Sequence, residues 1–213
     1  MSDPAAEKAE RFAATVEEYL EFEAAATEKH EWIDGYVRPL HRGPDGMAGG
    51  TIKHSWVSSN IVRELGIRVR PKGCAALTSD LRVRTPIFRK QQGRRGLYTY
   101  PDVTVLCGKP EIEKITKNTE TLTNPTLLVE VLSPSTASDD FGEKFDRYGT
   151  IETFREYVLV DQAKPHVQVF FRRDDGDWKI SFFTGLDAVA RFESLDIELP
   201  LSEIYDGVEF DQS

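Results

Sequence analysis

The sequence predicts an α+β domain built on a mixed β-sheet flanked by helices, and three observations carry that expectation. Apolar residues recur at three to five positions from Ile52 through Trp56, Val57, Ile61 and Leu65 to Val69, which is a helical period. Beyond Cys74 the period drops to two, with Leu81 and Val83 alternating with Arg82 and Arg84, and Val103 and Val105 with Asp102 and Thr104. The almost continuous apolar run Leu127–Leu132 reads as a strand buried on both faces.

In chain order, Thr15-x-x-Glu18 has the form of a capping box and opens a short helix to about Ala26, with Val16, Tyr19, Leu20 and Phe22 at helical spacing. Asp34-Gly35, set between Trp32-Ile33 and Tyr36-Val37, is the strongest short hairpin signal. After a Gly-rich stretch at 43–50 comes the helix of 52–69, which ends before Pro71 because the residue preceding a proline disfavours the α region. Half-buried strands follow at about 74–85 and 98–107, with a mobile loop rich in basic residues, Gly and Gln at 86–97 between them. A helix is expected over 138–148, its first turn of Ser138, Asp139 and Asp140 complementing the positive end of the helix dipole. Further strands fall at 157–160, 167–171 and 178–183, the last two joined by Asp174-Asp175-Gly176-Asp177. The organisation expected is one domain over 15–208, with a flexible segment at 1–14 and a tail at 209–213.

Length and composition bound the function. At 213 residues and 24.1 kDa the chain fits a single core. No apolar run approaches the roughly 18–20 residues of a membrane span. Met1-Ser2-Asp3-Pro4 lacks the basic cluster and apolar stretch of a signal peptide, so a cytoplasmic location is expected. Two Cys and four His show no zinc spacing, and Cys74 and Cys107 are expected to be buried thiols. The net charge of −9 argues at first against a polyanionic partner. Its distribution removes the objection: residues 63–95 hold ten basic and two acidic side chains, a local +8, against −17 for the rest. A basic patch can hold phosphates on a protein of negative total charge.

The chemistry lies where carboxylates interrupt strands. Asp102 follows Pro101 in an apolar strand and Glu130 lies inside Leu127–Leu132. A buried carboxylate costs several kcal/mol unless paired or bound to a cation. Singly, each reads as a salt-bridged or edge residue. Together, on neighbouring strands and with Asp80 at the entry to another, they offer the hard oxygen donors that suit magnesium or manganese. Lys144, with Asp140 and Tyr148 at i±4, is either half of a surface pair with Asp140 or a cation for a developing phosphorane charge. His54 reads as a packed or capping histidine rather than a general base.

The succession Glu31-Trp32-Ile33-Asp34-Gly35, His54, Ser79-Asp80-Leu81, Tyr100-Pro101-Asp102-Val103, Asn124-Pro125, Glu130-Val131-Leu132-Ser133-Pro134-Ser135-Thr136, then Asp140, Lys144, Tyr148 and Glu156-Tyr157 resembles the "putative restriction endonuclease" domain family of the PD-(D/E)XK nuclease superfamily. The resemblance runs from about Thr15 to Val208. The Pro-Asp dipeptide is weakly specific; the Glu-Val-Leu-Ser-Pro-Ser-Thr stretch followed by the Lys/Tyr helix is specific.

The resemblance implies a restriction-endonuclease-like core in which Asp102 and Glu130 match the two metal-binding acids. The usual catalytic lysine position, two residues after Glu130, is Leu132 here, so Lys144 is expected to supply the charge from the helix, a migration known in this superfamily. Glu31 matches the family's early acidic residue, either a further metal or water contact in catalysis or a hairpin-edge carboxylate. The function expected is that of a Mg²⁺- or Mn²⁺-dependent endonuclease acting on phosphodiester bonds, foremost in double-stranded DNA. Asp80, Asp102 and Glu130 would hold the metal, and Arg82, Arg84, Arg89, Lys90, Arg94 and Arg95 would grip the nucleic-acid backbone. Cutting of two strands makes a homodimer a further expectation. The alternative, favoured by Leu132, is a nuclease-like module that binds nucleic acid or a protein partner without cutting.

Overall fold

The computed structural model describes residues 11–40, 51–90, 93–116, 119–132 and 140–210. The Gly-rich stretch 43–50, the Ser-Pro-Ser-Thr motif at 133–136, and Ser138 and Asp139 lie outside these residues. After the short strand β1 (Phe12–Ala13), Thr15 caps helix α1 (Val16–Ala25), and both hydrogen bonds of the capping box form: the Glu18 amide donates to Thr15 Oγ1 at 3.2 Å and the Thr15 amide to Glu18 Oε2 at 2.7 Å. Strands β2 (His30–Ile33) and β3 (Tyr36–Pro39) make the expected hairpin, with Asp34 and Gly35 at φ +50° and +98°, as the two-residue turn requires. Helix α2 (Ile52–Val69) gives way to a 3-10 turn at Arg70–Lys72 that contains Pro71.

The next two extended segments differ from the expectation in an informative way. Each was expected as one strand, yet each breaks where the chain passes from one sheet to another. Residues 74–85 split into β4 (Cys74–Thr78) and β5 (Arg82–Arg84). The expected loop of 86–97 contains a two-stranded ribbon, β6 (Phe88–Lys90) and β7 (Gly93–Arg95). The segment 98–107 then splits into β8 (Leu97–Thr99) and β9 (Val103–Cys107). Strands β10 (Ile112–Thr116) and β11 (Thr119–Leu122) precede β12 (Leu127–Leu132), helix α3 (Asp140–Tyr148) and β13 (Glu156–Asp161). The chain closes with β14 (His166–Arg172), β15 (Trp178–Thr184), the hairpin β16 (Val189–Phe192) and β17 (Ile197–Pro200), and the short helix α4 (Leu201–Ile204).

Two mixed sheets therefore replace the single one expected. The first has the order β1-β3-β2-β8-β5-β11-β10, the second β15-β14-β13-β12-β9-β4. Strand β12 sits inside the second sheet, antiparallel to β9 and parallel to β13, which it reaches through α3. Val57, Ile61, Leu65 and Val69 of α2 pack on one face of this sheet with Val103, Val105, Leu127 and Val129. Burying each such side chain contributes about 1.5–3 kcal/mol. The other face, through Leu106, Leu128 and Tyr157, meets Ile33, Val83 and Leu97 of the first sheet and Tyr148 of α3. The outer face of the first sheet is covered by α1, where Tyr19 packs on Trp32 and Tyr98.

The cysteines correct the sequence expectation. Cys74 and Cys107 are register partners at the β4–β9 edge and form a disulfide, with Cα atoms 4.1 Å apart. Their separation of 33 residues gave no sign of pairing, which only the antiparallel register creates.

Candidate active site

The site begins with the register of β9 and β12. Their ladder pairs Leu128 with Thr104 and Val129 with Val103 and ends there, and Asp102, just before β9, reaches the end of β12 through its side chain. Glu130 shares the face of Leu128, toward the first sheet and α3, whereas Asp102 reaches His54 of α2, the helix that packs on the opposite face. Asp102 Oδ2 accepts from the Val131 amide at 2.7 Å and lies 3.3 Å from His54 Nε2. Glu130 Oε1 accepts from Lys144 Nζ at 3.3 Å and from the Tyr148 hydroxyl at 3.0 Å. Lys144 and Tyr148 stand one turn apart on α3, so both reach the same oxygen.

Glu31 enters from the opposite sheet. The β2–β8 ladder pairs Trp32 with Tyr98, which places Thr99 beside Glu31, and Thr99 Oγ1 donates to Glu31 Oε2 at 2.8 Å. Arg38, the partner of Glu31 on β3, donates to its other oxygen, and Lys144 Nζ lies 3.7 Å from Oε2. Lys144 thus stands between carboxylates of the two sheets. Glu31, Asp102, Glu130 and Lys144 are all at most 6% exposed. Burial pushes the Glu31 carboxyl up, but the Lys144 ammonium, the Arg38 guanidinium and the hydrogen bonds from Thr99 and Arg38 hold it below the ordinary range. Burial pushes the His54 imidazole down, yet its hydrogen bond to Asp102 and the charges of Asp102 and Glu130 hold it above its usual value.

Helix α3 is fixed by its far side. Arg147 donates to both oxygens of Asp34, at 3.2 and 2.6 Å, and Asp34 Oδ1 also accepts from the Gly96 amide at 2.8 Å. A Cβ at Gly96 would meet Ile87 Cγ1 at 2.9 Å, so a side chain there would force Ile87 to shift. Arg95 reaches Asp146 of the same helix at 3.4 Å and thereby attaches the β6–β7 ribbon beside the site.

The structure brings together Glu31, Asp102, Glu130 and Lys144 of the residues expected from sequence, and leaves others apart. Asp80 sits in the turn between β4 and β5, its side chain 88% exposed and paired with Lys29 at 2.8 Å. Arg82 is buried among the rings of Tyr19, Tyr98 and Tyr100, donating to Thr121 Oγ1 at 2.9 Å, so its guanidinium is not presented to a phosphate. Arg84 shares that side of the first sheet and pairs with Glu113 at 2.8 Å. The alternation around Val83, which faces the inner core, turns both arginines toward α1. The side chains of Arg89, Lys90 and Arg94 lie outside those described. His54, expected to be only packed or capping, contacts Asp102, while Thr99 and Arg38 carried no sequence signal beyond strand alternation.

The donor set fits a hard divalent ion. Mg²⁺ is commonly held by one or two carboxylates and completed by water and substrate phosphates, and Asp102 and Glu130 supply two buried carboxylates at the end of β12. Among the described residues no three His, Cys, Asp or Glu side chains converge as a ready metal cage, and the cations Lys144 and His54 lie against the same carboxylates.

Comparison with known proteins gives a consistent picture. Residues 16–202 match the family described as putative restriction endonuclease. Two uncharacterized proteins of Synechocystis sp. are 32% and 33% identical, over 91% and 86% of this chain and 92% and 94% of their own. The crystal structure of a putative nuclease from Anabaena variabilis superposes with a TM-score of 0.65 at 20% identity, covering 90% of this chain and 97% of that one. The fold is that α+β architecture of mixed sheets flanked by helices. No helix among the described residues is long and apolar enough to cross a membrane.

Proposed function

Because the chain belongs to the family of putative restriction endonucleases, we propose that it is a divalent-metal-dependent endonuclease that hydrolyses phosphodiester bonds in double-stranded DNA. One observation carries this reading: the buried carboxylates of Asp102 and Glu130 meet at the end of β12, Asp102 on the Val131 amide and Glu130 under Lys144 and Tyr148. In this reading Asp102 and Glu130 hold Mg²⁺ or Mn²⁺, which when bound lowers the pKa of a water and neutralises the scissile phosphate. The Val131 amide and the Tyr148 hydroxyl orient the two carboxylates. Burial and the charge of Glu130 keep the Tyr148 pKa far above physiological pH, so it remains a donor. Lys144 holds its positive charge where the phosphorane charge develops. Backbone contacts fall to the ribbon residues Arg89, Lys90, Arg94 and Arg95, which position without reading sequence.

Plasmid nicking in Mg²⁺, Mn²⁺ or EDTA tests the reading. Wild type is expected to nick with either metal, and Asp102→Ala, Glu130→Ala and EDTA each to reduce the rate by about a hundredfold or more. Equal background nicking in every arm would refute it. Leu132, at the superfamily's lysine position, favours a second reading as a binding module that does not cut. Salt-sensitive retardation of DNA without cleavage would establish that one.

A further inference from the structure

Lys144 approaches Glu130 from a helix, not from the strand that carries Glu130, and a four-carbon stem gives its ammonium many rotamers. A single partner at 3.3 Å leaves most of that freedom in place. A further partner is Glu31, whose carboxylate has orienting donors other than the lysine. Both cross-strand neighbours of Glu31 point at it: Arg38 on β3 donates to Oε1, and Thr99 on β8 donates to Oε2. With Lys144 at 3.7 Å from Oε2, both oxygens are engaged by three donors, two of them cationic. Glu31 also rises from the first sheet, whereas Asp102 and Glu130 belong to the second.

Resting on the nuclease reading, we infer that Glu31 is a positioning residue for Lys144 and not a ligand of the metal ion. It aims the helix-borne ammonium at the Glu130 carboxylate and so takes over the orienting role that a lysine on β12 itself would not need. An ion bound to Glu31 would have to displace Arg38 or the Thr99–Lys144 side, while Asp102 and Glu130 meet at the end of β12.

A double-mutant cycle on the full-length protein separates the roles. Nicking kinetics and Mn²⁺ titration are compared for wild type, Glu31→Gln, Lys144→Met and the double variant. The expected result is a fall in kcat of about ten- to a hundredfold for Glu31→Gln, with the KM for DNA and the Mn²⁺ affinity within about threefold of wild type. In the Lys144→Met background, Glu31→Gln is expected to change nothing further. An equal loss in both backgrounds, a Mn²⁺ affinity lowered more than about tenfold, or an unchanged kcat would each overturn the inference. Where Glu31→Gln does not fold by circular dichroism, Thr99→Val, which removes one donor from Glu31, is put through the same cycle with the same criteria. A wild type that does not cut removes the nuclease reading and the positioning role with it. A cutting wild type with additive losses removes the positioning role alone.

Discussion

Two buried carboxylates dominate the molecule at the scale of single residues, and they behave oppositely. Glu31 is held ionised by Lys144 and Arg38. Glu156, at the start of β13, accepts from Ser194 Oγ and from the amides of Glu193 and Ser194, yet burial raises its pKa to about 7, with the neighbouring Glu193 charge adding to the effect. A carboxyl whose folded pKa exceeds its unfolded value of 4.5 contributes stability below that value and loses it as pH rises through about 7. The unfolding free energy should therefore decline between pH 5 and 8 by at most about 3 kcal/mol from this group. Glu156→Gln should flatten that decline in calorimetry; an unchanged slope would remove Glu156 as its source. The burial of Asp102 and Glu130 was legible because charges inside apolar runs are conspicuous. The roles of Thr99, Arg38 and His54 were not, since a neutral threonine, an exposed-looking arginine and a helical histidine gain meaning only through cross-strand register and the packing of α2.

At the scale of elements, local signals were read correctly wherever the chain determines them locally. The Thr15–Glu18 box, the Asp34-Gly35 turn and the stop at Pro71 all sit where the sequence places them. Among the misread elements are the ribbon β6–β7, expected as a loop, and the two segments that change sheets. Alternation reports which side chains are buried and is silent on which partner strand lies alongside, so β4–β5 and β8–β9 each looked continuous. That change of sheet is what delivers Asp102 to the position just before β9, where its carboxylate accepts from the Val131 amide beside Glu130. The placement of Lys144 depends in turn on α3 being clamped by Arg147 to Asp34. Asp34→Asn keeps a residue that tolerates φ +50° and removes the charge of the pair. It should weaken hydrogen-exchange protection of 140–148 and lower kcat by about tenfold while leaving Mn²⁺ affinity intact. Undiminished protection would show that the clamp does not hold the helix.

Over the whole molecule, the net charge of −9 conceals a division that folding sharpens. Of the basic segment, Arg82 is withdrawn under tyrosines, and Arg84 is turned toward α1 and paired with Glu113. The ribbon that bears Arg89, Lys90, Arg94 and Arg95 is tied to α3 by the pair of Arg95 with Asp146. Replacing Arg89, Lys90 and Arg94 by Ala should weaken DNA binding and reduce the slope of log K against log salt by up to about 3, at about 0.9 per phosphate contact. Replacing Arg82 should instead reduce thermal stability, since it strips a buried guanidinium from its ring cage. Nuclease chemistry at this site requires that Asp102 and Glu130 hold an ion. Calorimetric titration of the protein with Mn²⁺ should show binding that Asp102→Asn and Glu130→Gln each weaken by about tenfold or more, and that Asp80→Asn leaves unchanged. Equal Mn²⁺ affinity in wild type, Asp102→Asn and Glu130→Gln would contradict it.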